Sequence, residues 1–346
     1  MAHWIATVYN VLEESSAMPT PPAKRPTLAD VARASGVSVA LASIVMRGAE
    51  GASEESRSRV KQAAAELGYR PDSRARSLRS NRSRTIGLAL ALGEPLHAEL
   101  ADALYEQADQ NGFEIILGAT GRHRDERRVL NTLIDAGVEA VIGLFPELPP
   151  AQLVHASKQL PIISLLRTID GIPSVITNEA AGVEQAVSHV AQLGHTRLLH
   201  LDGGSAIAAQ QRRDAFAESA ARANAHGQVL PAGPDDATAF TVLREYLAAT
   251  PPAERATAVL AFNDRAALGA RQAIDLAGLH VPEQICLVGY DDSEFARLAH
   301  ADLTSVRQDV AALAQAAMHA ALNAPGASST HAPQLVVRGS TARPRA

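Results

Sequence analysis

The chain has 346 residues, of which 47% are hydrophobic and 20% charged, with one cysteine and a formal net charge of −5. This composition excludes a collagen-like chain, a disordered chain and a scaffold held together by internal disulfides. Since no apolar run reaches the length of a membrane span and residues 1–25 lack a signal-peptide pattern, we expect a cytoplasmic protein with no membrane partner.

Positive charge is concentrated towards the amino terminus. Residues 18–84 contain 13 lysines and arginines against 6 acidic residues, whereas residues 85–346 contain 19 against 29. This asymmetry predicts that the amino-terminal part contacts a phosphate backbone and that the acidic remainder does not. The first 17 residues match no pattern, and Met18 is an alternative start. We therefore expect residues 1–25 to be a disordered extension.

Three short helices with capping signals are predicted next. Thr27 and Asp30 form a capping-box pattern at the start of the first helix, and Gly36 ends it. A second helix follows within residues 38–48, and a third within residues 53–68. The three-residue connection between the first two helices has the length of a helix-turn-helix. Residues 26–71 are thus predicted to be a DNA-binding domain.

The second of these helices has one face for packing and one for DNA. Its outer face carries Val39, Ala40 and Ile44, which would contact thymine methyl groups in the major groove. Ser43 and Arg47 would supply hydrogen bonds there. The alternative for Ile44 is that it packs inside the helix bundle. The predicted DNA contacts in this domain are Thr27, Ser38, Val39, Ala40, Ser43, Ile44 and Arg47.

A polar segment follows, and with it a family resemblance becomes specific. Residues 72–84 are too polar to bury and too few to form a stable free helix, so we expect a linker that is disordered until it binds. The run up to residue 88 resembles the lactose-repressor (LacI/GalR) family of bacterial transcription regulators. The motifs that carry the resemblance are TLADVA at 27–32, GVSVA at 36–40, SEE at 53–55, LGYRP at 67–71, ARSL at 75–78 and RTIG at 84–87.

The resemblance implies that the linker becomes a hinge helix on operator DNA. Leu78 would insert into the minor groove, and Arg74, Arg76 and Arg79 would neutralise flanking phosphates. The alternative is that Leu78 is merely an exposed linker residue. The recognition helix departs from the family pattern, because Ile44 stands where relatives carry a base-reading arginine. We therefore expect an operator of its own, with a shifted polar contact from Arg47 as a hypothesis.

The remaining residues, 85–346, alternate between apolar runs and helical patterns. This alternation predicts an α/β fold with doubly wound parallel sheets and a ligand crevice at the carboxyl ends of the strands. Two lobes resembling periplasmic binding proteins are expected, lobe 1 from about 85–178 and 291–320, and lobe 2 from about 179–290 and 321–346. The predicted strands are 85–92, 113–120, 138–145, 161–166, 197–201, 257–262 and 285–289.

A second set of motifs extends the resemblance over these lobes, namely AVSHVAQLGH at 186–195, AFNDRAALG at 261–269, VPE at 281–283 and VGYDD at 288–292. The resemblance implies that Arg212, Asn263, Asp291 and Gln308 bind a small polar effector. Asn263 and Asp264 have the alternative role of helix caps. Weaker effector contacts are expected from Leu96, His97, Asn178 and Glu179.

Residues 93–97 lack the aromatic pair that relatives place there. This absence favours a sugar phosphate, a nucleoside or a similar compound over a neutral hexose as the effector.

Catalysis, cofactors and metals are not expected. His195, His200 and Asp202 lie near one predicted strand, but no nucleophile-elbow motif accompanies them. Cys286 is expected to be a core residue.

The sequence therefore predicts an effector-controlled transcription regulator, a repressor that binds a pseudo-palindromic operator as a homodimer. Induction and corepression both fit the pattern. The alternatives are a solute-binding protein with no regulatory DNA role and an architectural DNA-binding protein.

Overall fold

The structure is a computed structural model that describes residues 26–69, 83–121, 123–323 and 326–344. The chain divides into two compact units between residues 81 and 82. The expected extension at 1–25 lies outside the described residues, as do most of the linker and the predicted DNA contacts Arg74, Arg76, Leu78 and Arg79. No single described helix is long and apolar enough to cross a membrane, although the bent pair of the first two helices passes the same length and composition limits together.

The first unit contains three helices that begin where the sequence predicts them. The side chain of Thr27 accepts a hydrogen bond from the amide of Asp30, and the Asp30 carboxylate accepts one from the amide of Thr27 at 2.9 Å, which completes a capping box. The side chains of Ser38 and Ser53 cap the second and third helices, each by accepting one hydrogen bond from a backbone amide of the first turn. The helices are α1 (Leu28–Ser35), α2 (Val39–Met46) and α3 (Glu54–Glu66).

A small apolar core holds these helices together. Val31 of α1, Ala42 and Val45 of α2 and Val60 of α3 are almost fully buried against one another. Burial of such side chains at helical spacing is the main stabilising term for helices this short. The packing orients α2 so that its residues 39 and 40 remain exposed, as does residue 47, which directly follows the helix.

The second unit has two lobes, each built on a six-stranded sheet. The elements of lobe 1 are β1 (Thr85–Ala91), α4 (Pro95–Asn111), β2 (Glu114–Thr120), α5 (Glu126–Asp135), β3 (Ala140–Gly143), α6 (Pro150–Ala156), β4 (Ile162–Leu165), β5 (Ser174–Thr177), α12 (Val310–Leu322) and β11 (Ser329–His331). All neighbouring strands of the lobe 1 sheet are parallel, in the order β11-β5-β4-β3-β1-β2. Helices α4 and α12 pack on one face of this sheet, and α5 and α6 on the other.

Lobe 2 repeats this arrangement. Its elements are α7 (Glu179–Gln192), β6 (Arg197–Asp202), α8 (Ala209–Arg222), β7 (His226–Pro231), α9 (Asp236–Ala249), β8 (Ala258–Ala261), α10 (Asp264–Leu276), β9 (Cys286–Asp291), the short α11 (Glu294–Arg297), β10 (Thr304–Arg307) and β12 (Gln334–Val336). The strand order is β12-β10-β9-β8-β6-β7, in which only β12 is antiparallel to its neighbour. Helices α7 and α8 cover one face of the sheet, and α9 and α10 the other. The predicted α/β class with two doubly wound sheets is confirmed.

The chain crosses between the lobes three times, and two crossings differ from the expected boundaries. The first, between β5 and α7, lies at residue 178 as expected. The sequence pattern places residues 291–320 in lobe 1, but β10, which lies within that range, pairs with β9 of lobe 2, so the second crossing lies at residues 308–309. A third crossing at residues 332–333 follows β11, which pairs with β5 in lobe 1. The pairing of these short strands determines the boundaries, and their apolar pattern is too brief to reveal it.

One glycine allows two helices of lobe 2 to approach closely. A Cβ at Gly269 of α10 would lie 2.0 Å from the carbonyl oxygen of Asp236 at the start of α9. Backbone atoms on both sides leave no flexible side chain that could move away. The last residue of the AFNDRAALG motif therefore has a packing role.

Gly269→Ala should consequently lower the free energy of unfolding by about 1–3 kcal/mol, the usual cost of overpacking a core. Urea unfolding followed by circular dichroism measures this loss. Gly93→Ala is the matched control, because a Cβ at Gly93 meets no atom within 4 Å. Equal stability of the two variants would contradict the packing role of Gly269.

Candidate functional site

A cavity of about 230 Å³ lies between the two lobes, at the carboxyl ends of their parallel strands. Strand ends from both sheets contribute to it, as expected for an α/β crevice. Its lining residues are Ala91, Glu94, Leu96, His97, Thr120, Leu144, Pro146, Leu166, Glu179, Ala206, Ile207, Ala208, Arg212, Pro234, Phe262, Asn263, Asp291 and Gln308.

Seven of the eight predicted effector residues line this cavity: Leu96, His97, Glu179, Arg212, Asn263, Asp291 and Gln308. Asn178 does not. Its exposed side chain accepts a hydrogen bond from the amide of Ala181 and caps α7. A polar residue directly before a helix suits a cap and a ligand contact equally well on sequence, and here the cap uses the side chain.

Arg212 is the central polar group of the cavity and is almost fully buried. Its Nε donates to Glu179 Oε2 at 2.7 Å, and its Nη1 donates to the carbonyl oxygen of Phe262 at 2.6 Å. Its Nη2 lies 3.7 Å from Asp291 Oδ1. The guanidinium carbon also lies 3.5 Å from the centre of the Tyr290 ring, a cation–π contact that fixes the plane of the group. The side chain is thus rigidly oriented before any effector is bound.

Burial and charge act against each other on these groups. Burial alone would lower the pKa of Arg212, but Glu179, Tyr290 and Asp291 raise it above its usual value, so the guanidinium stays charged. Burial raises the pKa of Asp291 to about 8 even though Arg212 lowers it. Burial also lowers the pKa of His97, which favours a neutral imidazole. The cavity therefore combines one fixed cation with a carboxyl group at Asp291 whose protonated form is favoured by burial.

The interlobe crossings and the end of β9 supply further groups. Gln308, at the second crossing, donates to Asp291 Oδ1 at 2.8 Å and accepts from the hydroxyl of Thr177 at the end of β5. Asp291 has a φ of 101°, and the cavity residues Leu166 and Ala208 also have positive φ, at 57° and 66°. Non-glycine residues in this region are strained and tend to occur at functional sites. The surrounding packing thus holds the cavity in a specific shape.

Glu94 of lobe 1 and Asn263 of lobe 2 meet at this cavity. The Asn263 amide lies 3.5 Å from Glu94 Oε2, and Arg265 Nη1 lies 3.3 Å from Glu94 Oε1. Asn263 Oδ1 also accepts from the amide of Ala266, so the residue caps α10 and lines the cavity as well. Its two predicted roles are therefore compatible.

Several lining residues are not predicted from the sequence. Glu94 stands in the loop where the family pattern has an aromatic pair. Phe262 supplies an aromatic ring to the cavity from the end of β8, and Arg212 lies over it at 4.7 Å. Ile207 belongs to lobe 2 but packs against the apolar cluster of lobe 1. Only Phe262 has a sequence signal, since it precedes Asn263 in the AFNDRAALG motif.

Other polar groups near the strands have structural partners instead. Asp264 is buried outside the cavity lining and accepts from the amide of Ser293 at 2.7 Å and from the hydroxyl of Ser305. Burial raises its pKa to about 7. His195 bonds to the hydroxyl of Thr257 and lies 3.2 Å from the Sγ of buried Cys286. The Asp264 contacts tie α10 to β10 and to the loop after β9, the His195 contacts tie the start of β6 to β8 and β9, and neither set forms a catalytic triad.

In the first unit, the predicted DNA contacts lie on one side of α2 and at two caps. Val39 is 49% exposed, and Ala40 and Arg47 are exposed as well. Ser43 and Ile44 are half-buried, and Ile44 does not belong to the apolar cluster of the bundle. The Arg47 Nε donates to the Ser43 carbonyl oxygen at 3.0 Å. The Thr27 and Ser38 side chains take part in the helix caps described above.

Comparison with known proteins places both units in recognisable families. Residues 27–72 match the family model for bacterial regulatory proteins of the lacI family, and residues 187–341 match a periplasmic binding protein-like domain. The chain is 31% identical to the HTH-type transcriptional regulator GalR of Escherichia coli K12 over 336 residues, which cover 92% of this chain and 96% of GalR.

Two further comparisons agree with this placement. The chain is 28% identical to the HTH-type transcriptional repressor PurR of Vibrio vulnificus over 291 residues, covering 82% of this chain and 86% of PurR. A crystal structure of the lac repressor dimer bound to operator and the anti-inducer ONPF superposes with a TM-score of 0.79 and 27% identity, covering 92% of this chain and all of that one.

The buried pair of Arg212 and Glu179 leads to a stability prediction. Arg212→Met should lower the free energy of unfolding by about 3–5 kcal/mol, because it leaves the Glu179 carboxylate buried without its partner. Adding Glu179→Gln should restore part of this loss. Denaturant unfolding of the two single variants and the double variant measures the coupling.

Arg222→Met is the control for that series. Arg222 pairs with Glu184 at 3.4 Å, but both side chains are more than half exposed, so we expect a change of less than about 1 kcal/mol. If Arg212→Met were no more destabilising than Arg222→Met, the buried pair would have no structural role.

The pKa of His200 leads to a pH prediction. Burial lowers this pKa from an ordinary 6.5 to about 4, so the unfolded chain takes up a proton as the pH falls through 6.5 while the folded chain does not. His200 should therefore make the protein less stable as the pH falls from 6.5 to 4, by about 3 kcal/mol at most.

Thermal unfolding at several pH values, for the parent and for His200→Phe, isolates this contribution. The variant should lose less stability than the parent over this range. The exposed His226→Phe should follow the parent. Parallel pH profiles for the parent and His200→Phe would rule out the effect.

Proposed function

The chain belongs to the lacI family of bacterial regulatory proteins, and from this membership we propose that it is a repressor that binds a pseudo-palindromic operator as a homodimer under the control of a small polar effector. It is a DNA-binding transcription regulator and not an enzyme. The observation that carries the specific proposal is the cavity between the lobes, in which a rigid arginine faces groups from both sheets.

The DNA-binding part of the proposal rests on α2. This helix follows a three-residue connection, and its outer side presents Val39, Ala40 and Arg47 to solvent. A helix of this kind enters the major groove in helix-turn-helix proteins, where apolar side chains contact thymine methyl groups. Because Ile44 replaces the arginine of relatives, we expect the operator to be rich in thymine at the bases that face α2.

The effector part of the proposal rests on the way both lobes share the cavity. Leu96 and His97 come from lobe 1, Arg212 and Asn263 from lobe 2, and Gln308 from a crossing. A compound bound there contacts both lobes, so it favours one relative arrangement of the lobes over another. Such a preference is sufficient to shift operator affinity by a coupling free energy of about 1–3 kcal/mol.

The homodimer part of the proposal rests on the outer edge of lobe 1. Strand β2 is an edge strand, and Ile116 and Leu117 on it are each 39% exposed. Leu92 and Tyr105, from the neighbouring β1–α4 region, are exposed as well. A second copy of the chain would cover these apolar side chains and the unpaired strand edge. A symmetric dimer matches a pseudo-palindromic operator, and the protein would act in the cytoplasm, where that DNA is.

Val39→Asp tests the DNA-binding part directly. An aspartate on the outer face of α2 would approach the bases and phosphates, so operator affinity should fall by about 100-fold, the equivalent of about 2.7 kcal/mol. The operator is first obtained by selecting genomic fragments that the purified chain retains. Fluorescence anisotropy then compares this fragment with a scrambled duplex at several salt concentrations.

Gln62→Asp is the matched control, since Gln62 is exposed on α3 and receives the same charge change. It should reduce binding to both duplexes by a similar small factor, whereas Val39→Asp should remove the preference for the operator. Equal effects of the two variants on that preference would contradict the placement of α2 in the groove.

A further inference from the structure

We infer that the effector is a small compound without negative charge, bearing hydroxyl or amine donors, and that Glu94 selects it against phosphates and carboxylates. The inference rests on the proposed function, because it concerns the ligand class of the same cavity. It follows from the charges that line the cavity and from how those charges are already paired.

The positive charge in the cavity is already engaged. Arg212 is the one arginine or lysine among the described residues that line it. Its Nε is bonded to Glu179 and its Nη1 to the Phe262 carbonyl oxygen, while Asp291 lies near its Nη2. A bound phosphate would have to compete with the Glu179 carboxylate and the Phe262 carbonyl oxygen for the same guanidinium.

Glu94 adds a carboxyl group that Arg212 does not neutralise. Its nearest cation is Arg265, which does not line the cavity and which also pairs with Asp236 at 3.0 Å. The neutral state favoured for His97 leaves no second cation opposite Glu94 among the described lining residues. Like charges in a partly buried site repel strongly, because solvent screens them poorly. An anionic compound would thus be repelled, whereas an O–H or N–H donor would gain a charge-assisted hydrogen bond.

The size and the remaining walls of the cavity limit the compound further. The volume of about 230 Å³ is below the roughly 300–1,000 Å³ of pockets that hold drug-sized ligands. Leu96, Leu144, Leu166, Ile207 and Phe262 make much of the lining apolar. A single-ring compound with one apolar face and donors on its rim matches these walls.

This inference narrows the expectation of a sugar phosphate, a nucleoside or a similar compound to its members without negative charge. That expectation follows from the missing aromatic pair at residues 93–97, which removes an apolar platform but says nothing about charge. The structure places Phe262 in the cavity as an aromatic ring and Glu94 as an acidic group.

Charge fractionation of metabolites tests the inference even though the compound is unidentified. Small metabolites extracted from bacterial cells are passed through an anion exchanger at neutral pH. The unretained fraction contains neutral and cationic compounds, and the retained fraction contains phosphates and carboxylates. Each fraction is added to the purified full chain, and the thermal midpoint and the operator affinity are measured.

Three proteins are compared, namely the parent, Glu94→Gln and Glu99→Gln. The Glu99 carboxylate also joins the lobes, through an ion pair with Arg297 at 2.6 Å, but it does not line the cavity. Glu99→Gln therefore controls for loss of an interlobe ion pair. The unretained fraction should raise the midpoint of the parent and of Glu99→Gln at similar doses. Glu94→Gln should need about tenfold more, as expected when one hydrogen bond to a charged group is lost.

The outcomes are distinguishable. Activity in the retained fraction would overturn the inference and leave effector control intact. A Glu94→Gln protein that responds at the parent's dose would also overturn it, because Glu94 would then make no contribution to selection. Activity in neither fraction would contradict the proposed effector control itself, and the inference would fail with it.

Discussion

The buried ion pair between Arg212 and Glu179 is the interaction on which the cavity depends. Two charges removed from water are tolerated only when each finds good partners, and here the guanidinium bonds to a carboxylate, to a carbonyl oxygen and to the face of Tyr290. Glu179 begins α7 directly after the first interlobe crossing, whereas Arg212 comes from α8. The pair therefore anchors the crossing segment against the body of lobe 2. An effector that contacted Arg212 would meet a group whose position is already fixed, so little conformational freedom of that side chain would be lost on binding.

The same constraint explains why the cavity suits regulation. Asp291, whose backbone is strained, lies at the end of β9. Gln308, which donates a hydrogen bond to Asp291, lies at the second crossing between the lobes. Small changes there would be transmitted, because packed lobes have a few discrete arrangements and do not deform continuously. The pair of Glu94 and Arg265 links the lobes across the cleft, so a compound bound in the cavity would alter a contact between them. Membership of the lacI family supplies the DNA-binding unit that such a change would control.

Much of this architecture is predictable because its signals are local. The capped ends at Thr27, Ser38 and Ser53 fix the helices of the first unit within a residue or two. Strands that lie in longer, mostly apolar stretches of sequence are found in the same way, including the four-residue β3, β4 and β8, but β5, β7, β10, β11 and β12 are missed. Four of these five strands have only three or four residues and are interrupted or flanked by polar ones, and β7 is an edge strand with several exposed residues, so the apolar pattern has too little length or contrast to detect them. In the cavity, two family motifs locate Asn263 and Asp291, and the wider resemblance indicates Arg212 and Gln308. Glu94 belongs to no motif, and its role depends on a partner from the other lobe.

The operator affinity of the full chain with and without a bacterial metabolite extract, measured for the parent and for Arg212→Met at fixed salt, tests most directly whether the cavity controls DNA binding. A coupling of about 1–3 kcal/mol predicts that the extract changes the parent's affinity by about 5–150-fold. Arg212→Met should show no such change, provided that this variant remains folded and still prefers the operator. A parent that binds the operator equally with and without the extract would contradict the account, as would a folded Arg212→Met protein that responds as the parent does.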